Sequence, residues 1–407
     1  MRIFFSVGEP SGDLHGANLI KDLRERHPEL DAVGFGGPKM SAAGCQLLYE
    51  LTSLAVMGLV SVLANVRAFF RLLAEADRYF AENTVDAVVL IDYPGFNWWI
   101  ARKARKHNIR VFYYGVPQMW AWAPWRVRKL RRLVDHVICK LPFEETWFRQ
   151  RGCPAFYVGH PYFDELRRYQ MDAGFIADQQ NDDGRLLVLL PGSRDQEVRR
   201  NLATLLNAAS QVKSRHPATS VAVACYRDKH ADQVRMECEQ LGMDAKVFTG
   251  RTPELISLAD ACIACSGSVS LELLYHRTPT VIVYRLGLVT KLAQFVLLRV
   301  RYITLVNLLA SDSIERGASS YDPDDPDSNA PMPEYPTYSD CSDQVATWIN
   351  RWFDQPALLQ QRLAQLDQLA KAFAQPGASE RAAEYVFQQL QPEDPAQPSD
   401  RQMLRAA

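Results

Sequence analysis

An aspartate closes the apolar run Val88-Val89-Leu90-Ile91-Asp92. A carboxylate at the tip of an apolar parallel strand is the type of group that takes a proton from a hydroxyl, general base catalysis by geometry and charge. The same residue also reads as an N-cap for a helix beginning near Gly95. A second acidic position lies in the loop Ser6–His15 (SVGEPSGDLH), which follows the first apolar run. Open α/β sheets bind ligands at the carboxyl ends of their strands. There Ser11 and Asp13 suit capping of a helix from Leu14, whereas Glu9 gains nothing from capping and reads as an acceptor for a sugar hydroxyl.

Two further turns suit an anion. Ala264–Glu272 (ACSGSVSLE) runs from a short apolar strand through small residues into a helix. Its N–H groups at Ser266, Gly267 and Ser268 would point one way, and a helix N-terminus favours negative charge. Glu272, one turn further on, is placed to accept from something polar such as a ribose. Leu189–Arg194 (LLPGSR) ends another strand with a Gly-Ser turn and an arginine, a pairing that suits a pyrophosphate. Together they point to a nucleoside diphosphate. Gly8 and Gly12 do not make the dinucleotide fingerprint G-x-G-x-x-G, and no phosphate-loop Lys-Ser/Thr follows a glycine-rich turn.

The Asp-Pro-Asp repeats at 322–327 have metal-motif spacing, but they sit in a proline-rich stretch and not at a strand end. No His/Cys cluster offers a metal site either. The expectation is a reaction with no metal and no cofactor, in which arginine and helix N-termini meet the leaving-group charge.

Two stretches combine grease with positive charge. Within Met57–Leu73, the residues Met57, Leu59, Val60, Val62, Leu63, Val66, Phe69, Phe70 and Leu73 exceed what one core-facing stripe needs, and Arg67 and Arg71 stand beside them. This is either an ordinary core helix or an amphipathic patch that rests on a bilayer or holds acyl chains. Trp120, Trp122 and Trp125 precede the basic run Arg126, Arg128, Lys129, Arg131, Arg132. Aromatics with cations also suit nucleic acid. However, 46 Lys+Arg against 47 Asp+Glu gives a net charge of −1, which argues for no nucleic-acid partner. A surface facing anionic lipid is favoured.

These groups need elements to carry them. In 407 residues, 47% hydrophobic, there is room for two domains. Strands are expected at Ile3–Val7, Ala32–Gly36, Ala87–Asp92, Val111–Tyr114 and His136–Cys139. After a polar stretch they resume at Leu186–Leu190, Ser220–Ala224, Ala245–Phe248, Asp260–Cys265 and Thr280–Val283. Amphipathic helical patterns alternate with them, which argues α/β: two Rossmann-like, doubly wound parallel-sheet domains. The expected division is a domain over 1–171, a linker over 172–184, and a second domain over 185–340 with an acidic, proline-rich loop inserted at 311–340. C-terminal helices over 341–390, packing back across the cleft, and a disordered tail over 391–407 complete it. Eight scattered cysteines, several in strand-like runs, fit buried thiols in a reducing compartment. Met1-Arg2 leads straight into a strand, and Leu286–Ala310 is broken by Lys291, Arg299 and Arg301, so neither a signal peptide nor a membrane span is expected.

Ten motifs then fall in one order: GEPSGDLHGANL, GGPKM, LAVMGLVSVL, IDYPGFN, VPQMWAW, LPFE, GHP, LLPGSR, SGSVSLE and YITLVNLLA. From about Arg2 to Ala310 the chain resembles the lipid-A-disaccharide synthases, glycosyltransferase family 19. The resemblance implies a GT-B fold, two Rossmann-like domains facing a cleft. It implies inverting transfer of 2,3-diacylglucosamine from its UDP derivative to 2,3-diacylglucosamine 1-phosphate (lipid X), giving the β-1,6-linked disaccharide 1-phosphate and UDP. It also implies a cytoplasmic protein peripherally attached to the inner membrane, with a homodimer among the assemblies it permits. By the same resemblance Asp92 is the general base for the acceptor 6-hydroxyl. Glu9 and Ser11 match the family's AGE-x-SGD loop, with Val7 in place of Ala. Arg194 falls near the diphosphate, and Ser266, Gly267, Ser268 and Glu272 match the uridine-diphosphate turn and ribose contact. Asn307 matches the Asn of an LPNLLA segment, with Val306 in place of Pro. After Ala310 the chain departs from the family by roughly 20 additional residues. The other readings in play are another GT-B enzyme on UDP-GlcNAc, either a peptidoglycan-type GlcNAc transferase or a 2-epimerase, and a non-catalytic nucleotide-sugar-binding protein of the membrane surface.

Overall fold

The computed structural model describes residues 1–55, 66–180, 184–285, 300–315, 321–325 and 328–391. The chain divides into two compact units. One comprises Met1–Asp164 and the chain from Pro376 on, the other Glu165–Gln375.

The first unit is built on seven parallel strands: β1 (Arg2–Val7), β2 (Asp31–Gly36), β3 (Gln46–Glu50), β4 (Ala87–Ile91), β5 (Arg110–Tyr114), β6 (His136–Cys139) and β7 (Ala155–Tyr157). Their spatial order is β3-β2-β1-β4-β5-β6-β7. The central strands are apolar throughout because helices cover both faces, as in any parallel sheet of this kind. Every residue of β4 is buried. One layer of the core joins Ile3, Phe5 and Val7 to Leu19, Ile20 and Leu23 of the helix Pro10–Arg26. The C-terminal helix Ala378–Leu390 packs against that same helix, burying Ala382, Ala383 and Val386. Its start is capped from within the unit. The Asp164 carboxylate accepts the N–H groups of Gly377, Ala378 and Ser379, the last two at 3.2 and 2.9 Å.

The second unit carries six parallel strands: β8 (Leu186–Leu190), β9 (Ser220–Cys225), β10 (Lys246–Thr249), β11 (Ala261–Cys265), β12 (Thr280–Arg285) and β13 (Glu334–Thr337). Their order is β10-β9-β8-β11-β12-β13. Trp348 and Trp352, on the helix Ser342–Asp354, fill the core against the helix Asp195–Arg215.

Ten strands lie where the apolar runs place them. β3, β7 and β13 do not announce themselves: β3 is an edge strand with exposed ends, β7 is three residues long, and β13 contains Pro336. Proline lacks the N–H a central ladder needs, so it is confined to edges, where β13 lies. Two stretches differ from expectation. The polar stretch expected as a linker includes a helix, Ala173–Gln179, capped by Asp172 through the N–H of Phe175 at 3.0 Å. The acidic, proline-rich stretch expected as a loop contains β13 and is pinned to the second unit. Tyr335 donates its hydroxyl to Asp324 at 2.6 Å, the Trp348 indole donates to the Pro323 carbonyl at 2.9 Å, and Met332 is fully buried. Of the C-terminal helices, Ser342–Asp354 and Pro356–Phe373 belong to the second unit, and only Ala378–Leu390 belongs to the first.

Candidate active site

Parallel sheets whose strand order reverses open a crevice at the reversal, beyond the carboxyl ends of the strands. In the first unit that point lies between β1 and β4, where Val7 pairs with Ile91. Glu9 and Ser11 follow β1, and Asp92 follows β4. Gly115 and Lys140 follow β5 and β6 at the same edge.

Asp92 is held in an uncommon backbone state. It and Tyr93 both occupy the left-handed region, with φ of 46° and 43°. For non-glycine residues this costs on the order of 1 kcal/mol or more each, and it persists only where neighbours over-determine it. They do so here. The Asp92 carbonyl accepts the Tyr113 hydroxyl at 2.8 Å and the Asn97 amide at 2.9 Å. Asn97 is fully buried and also donates to the carbonyls of Ser6 and Ile91. The backbone bend thus aims the Asp92 side chain away from the strand. One carboxylate oxygen, Oδ1, lies 3.2 Å from the Lys140 ammonium, and Oδ2 has no hydrogen-bond partner among the described residues. Burial works against the Lys140 charge, but Asp92 and Glu144 outweigh it and hold the ammonium above its ordinary pKa. His160 is pushed well below the usual histidine range by burial first and by Lys140 second, so its ring is neutral at pH 7.

Glu9 and Ser11 are exposed at the start of the helix Pro10–Arg26. Asp13 is used elsewhere than expected. It is buried, and its carboxylate accepts the N–H groups of Gly37, Lys39 and Met40 at 2.9–3.0 Å, capping the helix Pro38–Ala42.

In the second unit the order reverses between β8 and β11, where Leu190 pairs with Ala264. The two anion-suited turns, Leu190–Arg194 and Ser266–Val269, therefore lie side by side. Gly267 and Ser268 are exposed, and a side chain built on Gly267 would meet nothing within 4 Å. The N–H groups of Gly267, Ser268 and Val269 have no acceptor among the described residues, whereas Ser270 turns inward to the Gly267 carbonyl at 2.9 Å. Arg194 is 82% exposed, with one guanidinium nitrogen 2.8 Å from Glu197. The other Glu197 oxygen takes the N–H groups of Ser193 and Arg194, so in this turn the backbone donors are met internally and the rest of the guanidinium stays exposed. Glu272 lies in the first turn of the helix Val269–His276 and is only 4% exposed.

Two expected positions lie in surroundings that the sequence does not announce. Asn307 is enclosed by the protein's own contacts. It is fully buried, its amide donating to the Met332 carbonyl at 2.7 Å and to Glu334 at 3.0 Å, and its oxygen accepting the Met332 N–H at 3.0 Å. Every hydrogen-bonding group of its side chain is spent on holding β13 to the helix Leu305–Leu309. The apolar patch also divides. Met57, Leu59, Val62 and Leu63 lie outside the described residues, and Val66 opens the helix Val66–Glu82. Phe69 packs edge-on against Phe96 at 5.0 Å, whereas Phe70 is 58% exposed.

Sequence reasoning missed Lys140, Asn97, Glu144 and Asn201. Each is a polar residue in a helix or turn, and only sheet order brings it to the site. Asn201, for example, donates to Cys265 Sγ at 3.1 Å and accepts the Arg285 N–H at 2.9 Å, tying the tips of β11 and β12 together. All eight cysteines are buried and free, and burial raises the Cys265 thiol to about 12.

Comparison with known proteins bears on the fold and the family. The family model described as Lipid-A-disaccharide synthetase matches residues 3–318. The chain is 32% identical to the lipid-A-disaccharide synthase of Geobacter sulfurreducens, over 96% of this chain and 97% of that one. Among solved structures it superposes on UDP-GlcNAc 2-epimerase from Neisseria meningitidis bound to UDP-GlcNAc with a TM-score of 0.60 at 10% identity, covering 95% of this chain and 100% of that one. MurG of Acinetobacter baumannii gives a TM-score of 0.58 at 12% identity, covering 95% and 99%. At such identities the two structures establish the fold alone, GT-B. The sequence matches establish more: the chain belongs to the lipid-A-disaccharide synthetase family, glycosyltransferases of lipid A biosynthesis.

Proposed function

We propose that the protein joins UDP-2,3-diacylglucosamine to 2,3-diacylglucosamine 1-phosphate, releasing UDP. The 6-hydroxyl oxygen of the acceptor attacks the anomeric carbon of the donor from the face opposite UDP. The carbon–oxygen bond to UDP breaks with its electron pair leaving on the diphosphate, and the hydroxyl proton passes to Asp92 Oδ2. The observation that carries this reading is the Asp92 carboxylate, clamped through its backbone and one oxygen with the other oxygen open. General base catalysis typically contributes ~10²–10⁴-fold.

The nucleotide belongs to the second unit. The open N–H groups at Gly267–Val269 and the exposed Arg194 guanidinium suit a departing diphosphate. Glu9 and Ser11, exposed beside Asp92, suit the sugar hydroxyls of the acceptor. We place the acyl chains and the bilayer against the aromatic, cationic face of the first unit. Support comes from Phe70, Trp99 and Trp125, exposed at 58%, 41% and 57%, and from guanidiniums of Arg102 and Arg126 stacked over Trp99 and Trp122 at 4.6 and 4.4 Å. No described helix is long and apolar enough to cross a membrane.

Product analysis tests the assignment. The protein is offered lipid X with either UDP-2,3-diacylglucosamine or unacylated UDP-GlcNAc. Disaccharide 1-phosphate from the diacylated donor alone is the expected result. Turnover or epimerisation of UDP-GlcNAc, with the diacylated donor left intact, would overturn it.

A further inference from the structure

We propose that Lys140 is a positioning residue for Asp92, fixing which carboxylate oxygen receives the acceptor proton. The inference rests on the reading of Asp92 as the base. Lys140 Nζ lies 3.2 Å from Asp92 Oδ1, and the two side chains are only 19% and 22% exposed. A lysine rotor of four bonds on a mobile turn would gain little from such a pair, because ordering it costs about as much as a screened ion pair returns.

This lysine is not on a mobile turn. Glu144 is buried and its Oε2 accepts the N–H groups of Lys140 and Leu141 at 3.0 and 3.1 Å. Its other oxygen accepts the Trp120 indole at 3.0 Å. The backbone that launches Lys140 is therefore fixed as firmly as that of Asp92. The space between them is also kept clear. Gly115 sits at φ +65°, and a Cβ there would fall 2.8 Å from Lys140 Nζ and 2.9 Å from Asp92 Oδ1. Only glycine fits both that dihedral and that gap.

The consequence is chemical. With Oδ1 engaged by an ammonium held charged, Oδ2 is the oxygen left open, and the carboxylate cannot rotate freely about its Cβ–Cγ bond. A proton acceptor fixed in this way spends little of the activation free energy on orientation. Misplacement of a reacting group by about 1 Å costs on the order of 10²-fold in rate. Lys140 thus acts through Asp92, and the loss of Lys140 falls on kcat and leaves donor binding, in the other unit, untouched.

The test is a double-mutant cycle on the full chain, with kcat and the donor KM measured for Lys140→Met, Lys140→Arg, Asp92→Asn and the Lys140→Met/Asp92→Asn pair. Melting curves confirm the fold, and Lys140→Gln replaces Lys140→Met should the latter not fold. The expected result is a loss in kcat of ~10–100-fold for Lys140→Met, a donor KM within about twofold, and recovery of most of the rate by Lys140→Arg. No further loss is expected when Lys140→Met is added to Asp92→Asn, the signature of residues acting as one unit. An unchanged kcat in Lys140→Met, or losses that simply add in the double variant, overturns the proposal and leaves Asp92 as base. A near-normal kcat in Asp92→Asn itself would instead remove the base assignment on which the proposal stands.

Discussion

Ser6 Oγ donates to Asn97 Oδ1 at 2.7 Å, and both residues are fully buried. That single bond orients the Asn97 amide so that its NH₂ faces the three carbonyls of Ser6, Ile91 and Asp92. The tips of β1 and β4 are thereby joined at the point where the sheet order reverses, and the left-handed bend at Asp92 is fixed in place. Asn97→Leu removes a donor to the buried Ser6 and Ile91 carbonyls and the acceptor of the Ser6 hydroxyl, whereas the Asp92 carbonyl keeps the Tyr113 hydroxyl. A buried polar group left unsatisfied costs about 1–3 kcal/mol. The expected outcome is a lower urea midpoint together with a kcat loss larger than the loss of stability explains. Steady-state kinetics at temperatures where the variant stays folded check this.

Asn307→Ala separates a structural role from a nucleotide contact. Its amide and oxygen are committed to Met332 and Glu334, so the variant should lose stability, on the order of 1–3 kcal/mol for the buried groups left unpaired, with the donor KM within about twofold. A raised donor KM with an unchanged melting temperature would return Asn307 to the nucleotide-binding set.

Acid should act on the outer face of the first unit. Asp77 is bonded to Lys103 at 2.8 Å, to His107 at 2.8 Å and to Lys106 at 3.2 Å. The hydrogen bonds from Lys103 and His107 lead in holding its carboxyl well below the usual range. A carboxyl group depressed in the folded state contributes stability above its unfolded pKa of about 4, and that contribution is lost as the pH falls toward the folded value. Asp77→Asn should therefore destabilise the protein near neutrality, and the gap to the parent should narrow steadily below about pH 4. Denaturant titrations across that range read it directly. A gap that stays constant would contradict the ion-pair account.

The fold was largely legible because its central strands are apolar on both faces, and runs such as Ala87–Ile91 and Leu186–Leu190 have no other reading. What escaped lies at sheet edges, where burial is one-sided and the pattern is faint: Gln46–Glu50, and Glu334–Thr337 with its proline. The candidate site was legible only in part. Asp92 and the small-residue turns announce themselves at strand tips. Lys140, followed by Leu-Pro, reads as any turn lysine until β6 is known to neighbour β5. Asn307 was singled out by its match to the family's LPNLLA segment, and no pattern in the sequence shows that its side chain binds Met332 and Glu334.

Membrane contact is tested on the aromatic face. Phe70→Glu with Trp99→Glu should reduce co-sedimentation with vesicles containing anionic phospholipid, and the binding of the parent should itself weaken at high salt. Turnover of detergent-dispersed substrates should fall as well, because the same face is assigned to the acyl chains. Unchanged vesicle binding in the double variant would place the membrane contact elsewhere.

Metal chelation bears on how the leaving group is stabilised. With Arg194 and the Gly267–Val269 N–H groups assigned to the diphosphate, activity should survive excess EDTA, and Arg194→Ala should lower kcat by about 10²-fold or more. Activity abolished by EDTA and restored by a divalent cation would contradict that assignment.

The most direct test of the account is single-turnover transfer by Asp92→Asn, with both diacylated substrates saturating and disaccharide 1-phosphate measured by mass spectrometry. The predicted result is a rate lowered by ~10²–10⁴-fold in a protein that melts like the parent and binds UDP normally. A rate within a few-fold of the parent would contradict it.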